Sequence, residues 1–179
     1  CPDNISLYGY FQTDRYFTHI ADSIKEDFSF HDEVLNNCKE VVDGMDTPIS
    51  LHVRRTDYVE KSQDHPPCSL QYYEKALSHF DGDRQVIIFT DDIPWCKGQD
   101  LFQGDRFLIS ETDDNVYDMC LMTLCSDYII ANSSFSWWGA WLSHVPDANV
   151  ICPKRWFGTT GYTATNNTQD IVPDTWIKI

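Results

Sequence analysis

The chain has 179 residues, 42% of them hydrophobic and 14% aromatic. That is enough to build one packed domain, or one domain with an extra lobe, rather than a disordered chain. A net charge of −15 argues against a nucleic-acid-binding surface, because a phosphate backbone would be repelled, and no apolar run is long enough to span a bilayer. The opening residues lack a signal-peptide pattern. They read Cys1-Pro2-Asp3-Asn4, with no Met, a poor beginning for a native protein that leaves room for a preceding anchor.

Taken in chain order, Phe17, Ile20, Ala21, Ile24 and Phe28 recur at helical spacing, which predicts a helix from Asp14 to Phe28. A second helix is expected from about Asp32 to Val42, with Val34, Cys38 and Val41 inward and Gly44 as its stop. Ile49–Val53 reads as a buried strand. Pro66-Pro67 breaks the chain, and Ser69 is placed to cap a helix carrying Leu70, Tyr73, Leu77 and Phe80 on one face. Gln85–Phe89 is a second buried strand, Pro94–Phe102 a short helix, and Arg106–Ile109 a short third strand. A helix from about Asp113 to Ser126 carries acidic residues in its first turn, where the dipole favours them. Tyr128–Ala131 is a strand, Ser136–His144 an aromatic-rich helix, and Asn149–Cys152 the last strand before a loop-rich tail from Pro153.

Alternating strands and helices imply an α/β fold with a parallel, doubly wound sheet, whose ligands bind beyond the carboxyl ends of the strands. That rule gathers distant residues on one edge of the sheet. Arg54, Arg55 and Asp57 follow the first strand, and Thr90, Asp91 and Asp92 the second. Asn132, Ser133, Ser134, Phe135 and Ser136 follow the fourth, and Pro153, Lys154 and Trp156 the fifth.

The sharpest local signal is His52-Val53-Arg54-Arg55-Thr56-Asp57-Tyr58. Two adjacent arginines at a strand end are costly without an anion, and a planar guanidinium matches phosphate oxygens bidentately. A surface arginine pair balanced by Asp57 is the competing reading. Asn132-Ser133-Ser134 ends a strand and opens a helix. Its N–H groups and hydroxyls form either an anion cradle or an ordinary serine cap. Trp137, Trp138 and Trp141 read as core packing. Asp91-Asp92 either holds a divalent ion or a ribose, or caps the short helix after Pro94. His52 is either structural or in contact with a base or phosphate.

No metal-ligand spacing, G-x-G-x-x-G, P-loop or G-x-S-x-G is present in the sequence. The seven cysteines (1, 38, 68, 96, 120, 125 and 152) have irregular spacing and no C-x-x-C, so most are read as reduced, buried small hydrophobes. Sequons stand at Asn4, Asn132 and Asn166, but Asn132 adjoins a buried-looking strand where a glycan would not fit.

His52-Val-Arg54-Arg55-Thr-Asp57-Tyr58-Val resembles the first peptide motif of the α-1,2-fucosyltransferases, glycosyltransferase family 11. The family's central glycine is Thr56 here, as in α-1,6 relatives. Ile88-Phe-Thr-Asp91-Asp92-Ile-Pro-Trp95-Cys96 resembles the second block, and the run from Asp118 through Asn132-Ser-Ser-Phe-Ser-Trp-Trp-Gly-Ala-Trp to Leu142 is very similar to the third. Gly9-Tyr10-Phe11-Gln12 and Trp176–Ile179 resemble family segments at the two ends. The family's Gly-rich opening is absent. The resemblance therefore implies a chain that starts partway along the family's length, with 1–47 leading in from an absent N-terminal acceptor lobe. Residues 48–179 would form the Rossmann-like donor-binding lobe of a GT-B-type enzyme.

The resemblance further implies an inverting transfer of fucose from GDP-L-fucose to a sugar hydroxyl, typically the 2-OH of a terminal galactose in a glycan acceptor, with no cofactor and no required metal. Arg54 would grip the β-phosphate and Arg55 support the donor site. His52 and Asp118 would lie near the guanine, with Ser133 and Ser134 near the pyrophosphate. Asp91, Asp92, Asn132, Phe135 and Ser136 complete the expected substrate-binding set, and Asp57 is a candidate general base or a holder of either arginine. A GDP-sugar-binding domain without turnover is the alternative. The expected setting is the cytoplasm or the cytoplasmic face of a bacterial membrane, with peripheral association through the missing part, or the Golgi lumen in a eukaryote.

Overall fold

A computed structural model describes residues 4, 6 and 13–179. Cys1 and the segment Gly9–Gln12 lie outside the described residues. Six parallel strands, β1 (Ile49–Val53), β2 (Val86–Thr90), β3 (Phe107–Ile109), β4 (Asp127–Ile129), β5 (Val150–Cys152) and β6 (Ile177–Lys178), form one sheet in the order β3-β2-β1-β4-β5-β6. This is the doubly wound order, and the winding reverses between β1 and β4.

The helices are α1 (Ala21–Asp27), α2 (Asp32–Val42), α3 (Thr56–Glu60), α4 (Leu70–Leu77), α5 (Ile93–Lys97), α6 (Asn115–Thr123) and α7 (Ser134–Trp141). All five residues of β1 are buried because both faces of the sheet are covered. The two-residue period of a strand divides the apolar set between two cores. Ile49, Leu51, Val53, Val86 and Ile88 pack with Tyr73, Ala76 and Leu77 of α4 and Cys96 of α5. Ile87, Phe89, Tyr128 and Ile130 pack with Cys120, Leu121 and Met122 of α6 and Trp137 of α7. Cys38 of α2 joins this second core, with Phe17, Val34 and Leu35 packed against it. Gly139 lets α7 lie close to α6, since a Cβ there would come within 2.7 Å of the Met122 sulfur. Each fully buried aliphatic contributes about 1.5–3 kcal/mol, so an Ile88→Ala change strikes the centre of the first core.

Several local expectations hold. Ser69 caps α4 by accepting the Tyr72 N–H, and Gly44 ends α2 at φ +77°, while Asp114, expected within the first turn of its helix, is the N-cap of α6. Three differ. The expected helix over 14–28 is two 3-10 turns, Asp14–Tyr16 and Thr18–Ile20, followed by α1. It breaks at Phe17, whose φ is −138°, because its ring is taken up by Trp138 and Trp141, at centroid distances of 5.5 and 5.0 Å. α3 follows the arginine pair where no helix was expected. β6 lies within the tail read as loop. Of the tryptophans read as core, Trp137 is buried and donates its indole N–H to the Ile171 carbonyl at 2.7 Å. Trp138 and Trp141 are half-buried around Phe17. Cys38, Cys68, Cys96, Cys120, Cys125 and Cys152 are free thiols, and all but the half-buried Cys68 are buried.

Candidate functional site at the carboxyl edge of the sheet

β1 ends at Val53, and the chain turns sharply into α3. Asp91, beyond the end of neighbouring β2, makes that turn. One of its carboxylate oxygens accepts the Arg55 N–H at 2.8 Å, and the other accepts the Thr56 N–H at 3.2 Å and the Thr56 hydroxyl at 2.5 Å. The α3 N-terminus is thus capped by a carboxylate from another strand. The same carboxylate pairs with Arg54 Nε at 3.3 Å, and Arg54 Nη2 meets Asp57 Oδ1 at 2.8 Å. The Arg54 guanidinium also stands 5.6 Å from the Tyr58 ring. With 36% of its side chain exposed, it is aimed by two carboxylates and still open to the cleft.

Arg55 turns the other way. Its Nε pairs with Asp92 at 3.2 Å, and its guanidinium lies 4.1 Å over the Trp95 ring. Asp92 also accepts the Trp95 N–H at 3.1 Å and so caps α5. Of the readings left open for Asp91-Asp92, the cap of the helix after Pro94 is therefore present.

Across the reversal point, β4 leads to Asn132 and α7. Asn132 is buried and internally committed. Its side-chain N–H groups go to the Pro66 and Trp156 carbonyls at 3.1 and 2.9 Å, and its backbone carbonyl accepts the Tyr58 hydroxyl at 3.0 Å. This burial leaves no room for a glycan at the Asn132 sequon. Ser133 caps α7 by accepting the Phe135 N–H at 3.3 Å. The buried Ser136 hydroxyl lies 3.4 Å from the Ser133 carbonyl, which accepts from it. Ser134 is exposed at the first turn.

Arg54, Asp57, Ser133, Ser134 and Phe135 converge on one cleft of about 370 Å³. This is the β1/β4 crevice where doubly wound sheets bind ligands. Its other walls are Tyr58, Lys61, His65 and Tyr162, none of them expected as site residues. Lys61, His65 and Tyr162 belong to segments without apolar periodicity, so nothing short-range marked them. Tyr58 carried a signal, because it completes the arginine motif one residue after Asp57.

The remaining expected residues lie along the same edge but outside the cleft lining. Arg55, Asp91 and Asp92 brace it from the β2 side. His52 is buried in β1, its ring 5.7 Å from Phe135 and its Nδ1 without a partner. Burial pushes its pKa down to about 4, with Asp91 opposing the shift and Arg54 adding to it. Asp118 stands beyond β3, where Ser110 donates a hydroxyl to it at 2.6 Å. Burial raises its pKa, and the Ser110 hydrogen bond works against that rise.

Known proteins resemble this chain in sequence and in fold. The family model described as glycosyl transferase family 11 matches residues 1–179. An O-antigen biosynthesis glycosyltransferase, WbnK, of Escherichia coli is 34% identical over 187 residues, covering 97% of this chain and 60% of the relative. An alpha-1,2-colitosyltransferase of Escherichia coli is 32% identical over 187 residues, covering 98% of this chain and 63% of the relative. The human galactoside alpha-(1,2)-fucosyltransferase 1 is 24% identical over 146 residues, covering 72% of this chain and 40% of the relative. This chain thus spans about three fifths of the two bacterial relatives. Among solved structures, that of POFUT1 in complex with GDP matches with a TM-score of 0.50 and 13% identity, over 69% of this chain and 47% of that one, a likeness of fold alone.

Proposed function

The chain belongs to glycosyl transferase family 11, and from that premise we propose that it is the donor-binding part of an inverting transferase. It moves L-fucose from GDP-L-fucose to a sugar hydroxyl, the 2-OH of a terminal galactose in a glycan acceptor. One observation carries this reading. The Arg54 guanidinium and the Ser133-Ser134 start of α7 face one cleft at the point where the winding of the sheet reverses.

As the bond from the sugar's anomeric carbon to the diphosphate breaks, negative charge gathers on the leaving diphosphate. Fixed positive donors lower the barrier because they need no reorganisation at that moment. Arg54 is held in one direction by Asp57 and Asp91, and the α7 N-terminus adds N–H groups and dipole. Lys61, on the same cleft, supplies a second cation, so the leaving group is met without a metal. Buried His52, its ring against Phe135, and Asp118 are assigned to the guanine end, with Arg55, Asp91 and Asp92 as the brace. Asp57 is assigned two tasks that a single substitution separates: holding Arg54, and taking the acceptor proton.

A second donor is favoured by one observation, the 32% identity to an alpha-1,2-colitosyltransferase. Colitose could replace fucose on the same nucleotide, since the groups assigned to the diphosphate do not read the sugar. A GDP-sugar donor sets the reaction in the cytoplasm or at the cytoplasmic face of a bacterial membrane, or in a Golgi lumen. No described helix is long and apolar enough to cross a membrane.

Isothermal titration with GDP, GDP-L-fucose and UDP, followed by a transfer assay with galactosides, tests the proposal. Saturable GDP binding that is absent for UDP and weakened at least about tenfold by Arg54→Ala supports it. The donor reading fails if GDP gives no binding, or if Arg54→Ala binds it as tightly as the wild type. Binding without release or transfer of fucose or colitose favours a non-catalytic GDP-sugar-binding domain.

A further inference from the structure

The wall of the cleft opposite α7 is aromatic. The His65 ring stacks on Tyr58 at 5.1 Å and 30°. Its edge meets Phe157 at 5.5 Å and Tyr162 at 6.5 Å. Tyr162 lines the same cleft and is 77% exposed.

This ring is not carried on a loose segment. The loop holding His65 and the loop holding Tyr162 are fastened backbone to backbone. Asp64 O accepts the Gly158 N–H at 2.7 Å and the Thr163 hydroxyl at 2.9 Å, Asp64 Oδ1 accepts the Thr163 N–H at 3.1 Å, and Gln63 O accepts the Gly161 N–H at 3.2 Å. The approach is too tight for side chains. A Cβ on Gly158 would fall 1.7 Å from the Gln63 carbonyl oxygen, and one on Gly161 would fall 2.0 Å from Asp64 Oδ1. The two loops form one collar, fixed relative to Arg54.

We propose that this collar is the acceptor-sugar subsite, on which a pyranose lays an apolar C–H face against Tyr162 and His65 while its hydroxyl edge turns toward Lys61 and the donor end of the cleft. The inference rests on the donor reading of Arg54, Ser133 and Ser134 and adds the place of the second sugar. A pyranose is amphipathic by face, with ring C–H groups on one side and hydroxyls around the rim. A cleft pairing aromatic rings with a few convergent polar groups matches that division. Continuity with the diphosphate groups favours a sugar over further polypeptide as the occupant of this face.

Saturation-transfer NMR with methyl β-galactopyranoside, with and without GDP, tests the assignment on the wild type, Tyr162→Ala and Tyr162→Phe. GDP titration of each protein runs in parallel. We expect saturation of the galactoside ring protons, a loss of affinity of about tenfold or more in Tyr162→Ala, near wild-type binding in Tyr162→Phe, and the same GDP affinity in all three. The assignment is overturned if the wild type gives no galactoside signal, if Tyr162→Ala binds the galactoside as the wild type does, or if Tyr162→Ala loses GDP in the same proportion. Absence of GDP binding by the wild type defeats the donor reading alone, because the galactoside is scored without GDP as well.

Discussion

Each edge of the sheet holds an arginine against an aspartate. At the amino edge, Arg84 Nη1 meets Asp127 Oδ2 at 2.7 Å, with 18% and 10% of the two side chains exposed. Their other capacity is spent inside the protein. Arg84 Nε donates to the Thr47 carbonyl at 2.9 Å, and Asp127 Oδ1 accepts from the Asn149 backbone and side chain at 2.7 and 2.9 Å. At the carboxyl edge, Arg54 has two carboxylate partners where Arg84 has one, yet it is twice as exposed and lines a cleft beside exposed Ser134. An ion pair alone does not mark a site. The amino-edge pair ties strands together, whereas the carboxyl-edge pair aims a cation outward.

The comparison is broken most readily at the amino edge. Removing one partner of a mostly buried pair leaves the other charge stranded, so Asp127→Ala should cost about 3–5 kcal/mol of stability. Urea unfolding and GDP titration check it: the midpoint falls, while GDP affinity in the folded protein stays at the wild-type value. A loss of GDP affinity with unchanged stability would erase the distinction between the edges. Arg54→Ala should give the mirror image, with transition-state stabilisation down by about 2–4 kcal/mol and a thermal midpoint near that of the wild type. Turnover within about threefold of wild type, which is under 1 kcal/mol, defeats the assignment.

His52 links the carboxyl edge to the core. Burial holds its pKa at about 4, against 6.5 for the exposed group. The unfolded chain therefore takes up this proton first, so stability falls as pH drops from 6.5 to 4 and this contribution then levels off. The loss over that window is on the order of 3 kcal/mol. Unfolding midpoints at pH 7 and 4.5 should differ more in the wild type than in His52→Gln, and equal differences would show that this imidazole does not carry the effect. The smallest change sharpens the role of Asp57. If it only holds Arg54, Asp57→Asn removes a half-exposed pair worth about 0.2–1 kcal/mol. If it takes the acceptor proton, kcat falls by about 10²–10⁴.

What the sequence made visible follows the range of the forces involved. β1 and β2 are continuous apolar runs because both their faces are covered, and Ser69 and Gly44 act on residues within a few positions of themselves. α3 was not visible because its cap, Asp91, is 35 positions away from Thr56 and its five residues carry no apolar stripe. β6 has two residues, both exposed, so it has no pattern to read. The expected helix over 14–28 had the right spacing and lost to the packing of Phe17 against two tryptophans. In the site, Arg54, Asp57, Ser133, Ser134 and Phe135 were legible because the strand-edge rule collects them. Lys61, His65 and Tyr162 were not, because tertiary hydrogen bonds alone bring their loops together. The committed amide of Asn132 and the inward hydroxyl of Ser136 were hidden for the same reason: the sequence names a polar group and leaves its direction open.

The tie between Asp64 and Thr163 joins positions 99 residues apart, which bears on the order in which the molecule comes into being. Chains emerge from the ribosome amino end first, and contacts distant in sequence form late because their closure entropy must be met first. Arg54 and Ser134 can take their places once α7 has folded, but His65 has no partner loop until Gly158, Gly161 and Thr163 have been made. A nascent chain would therefore assemble the Arg54 and Ser134 side of the cleft before its aromatic rim, and the cleft would close only after Thr163 has been made.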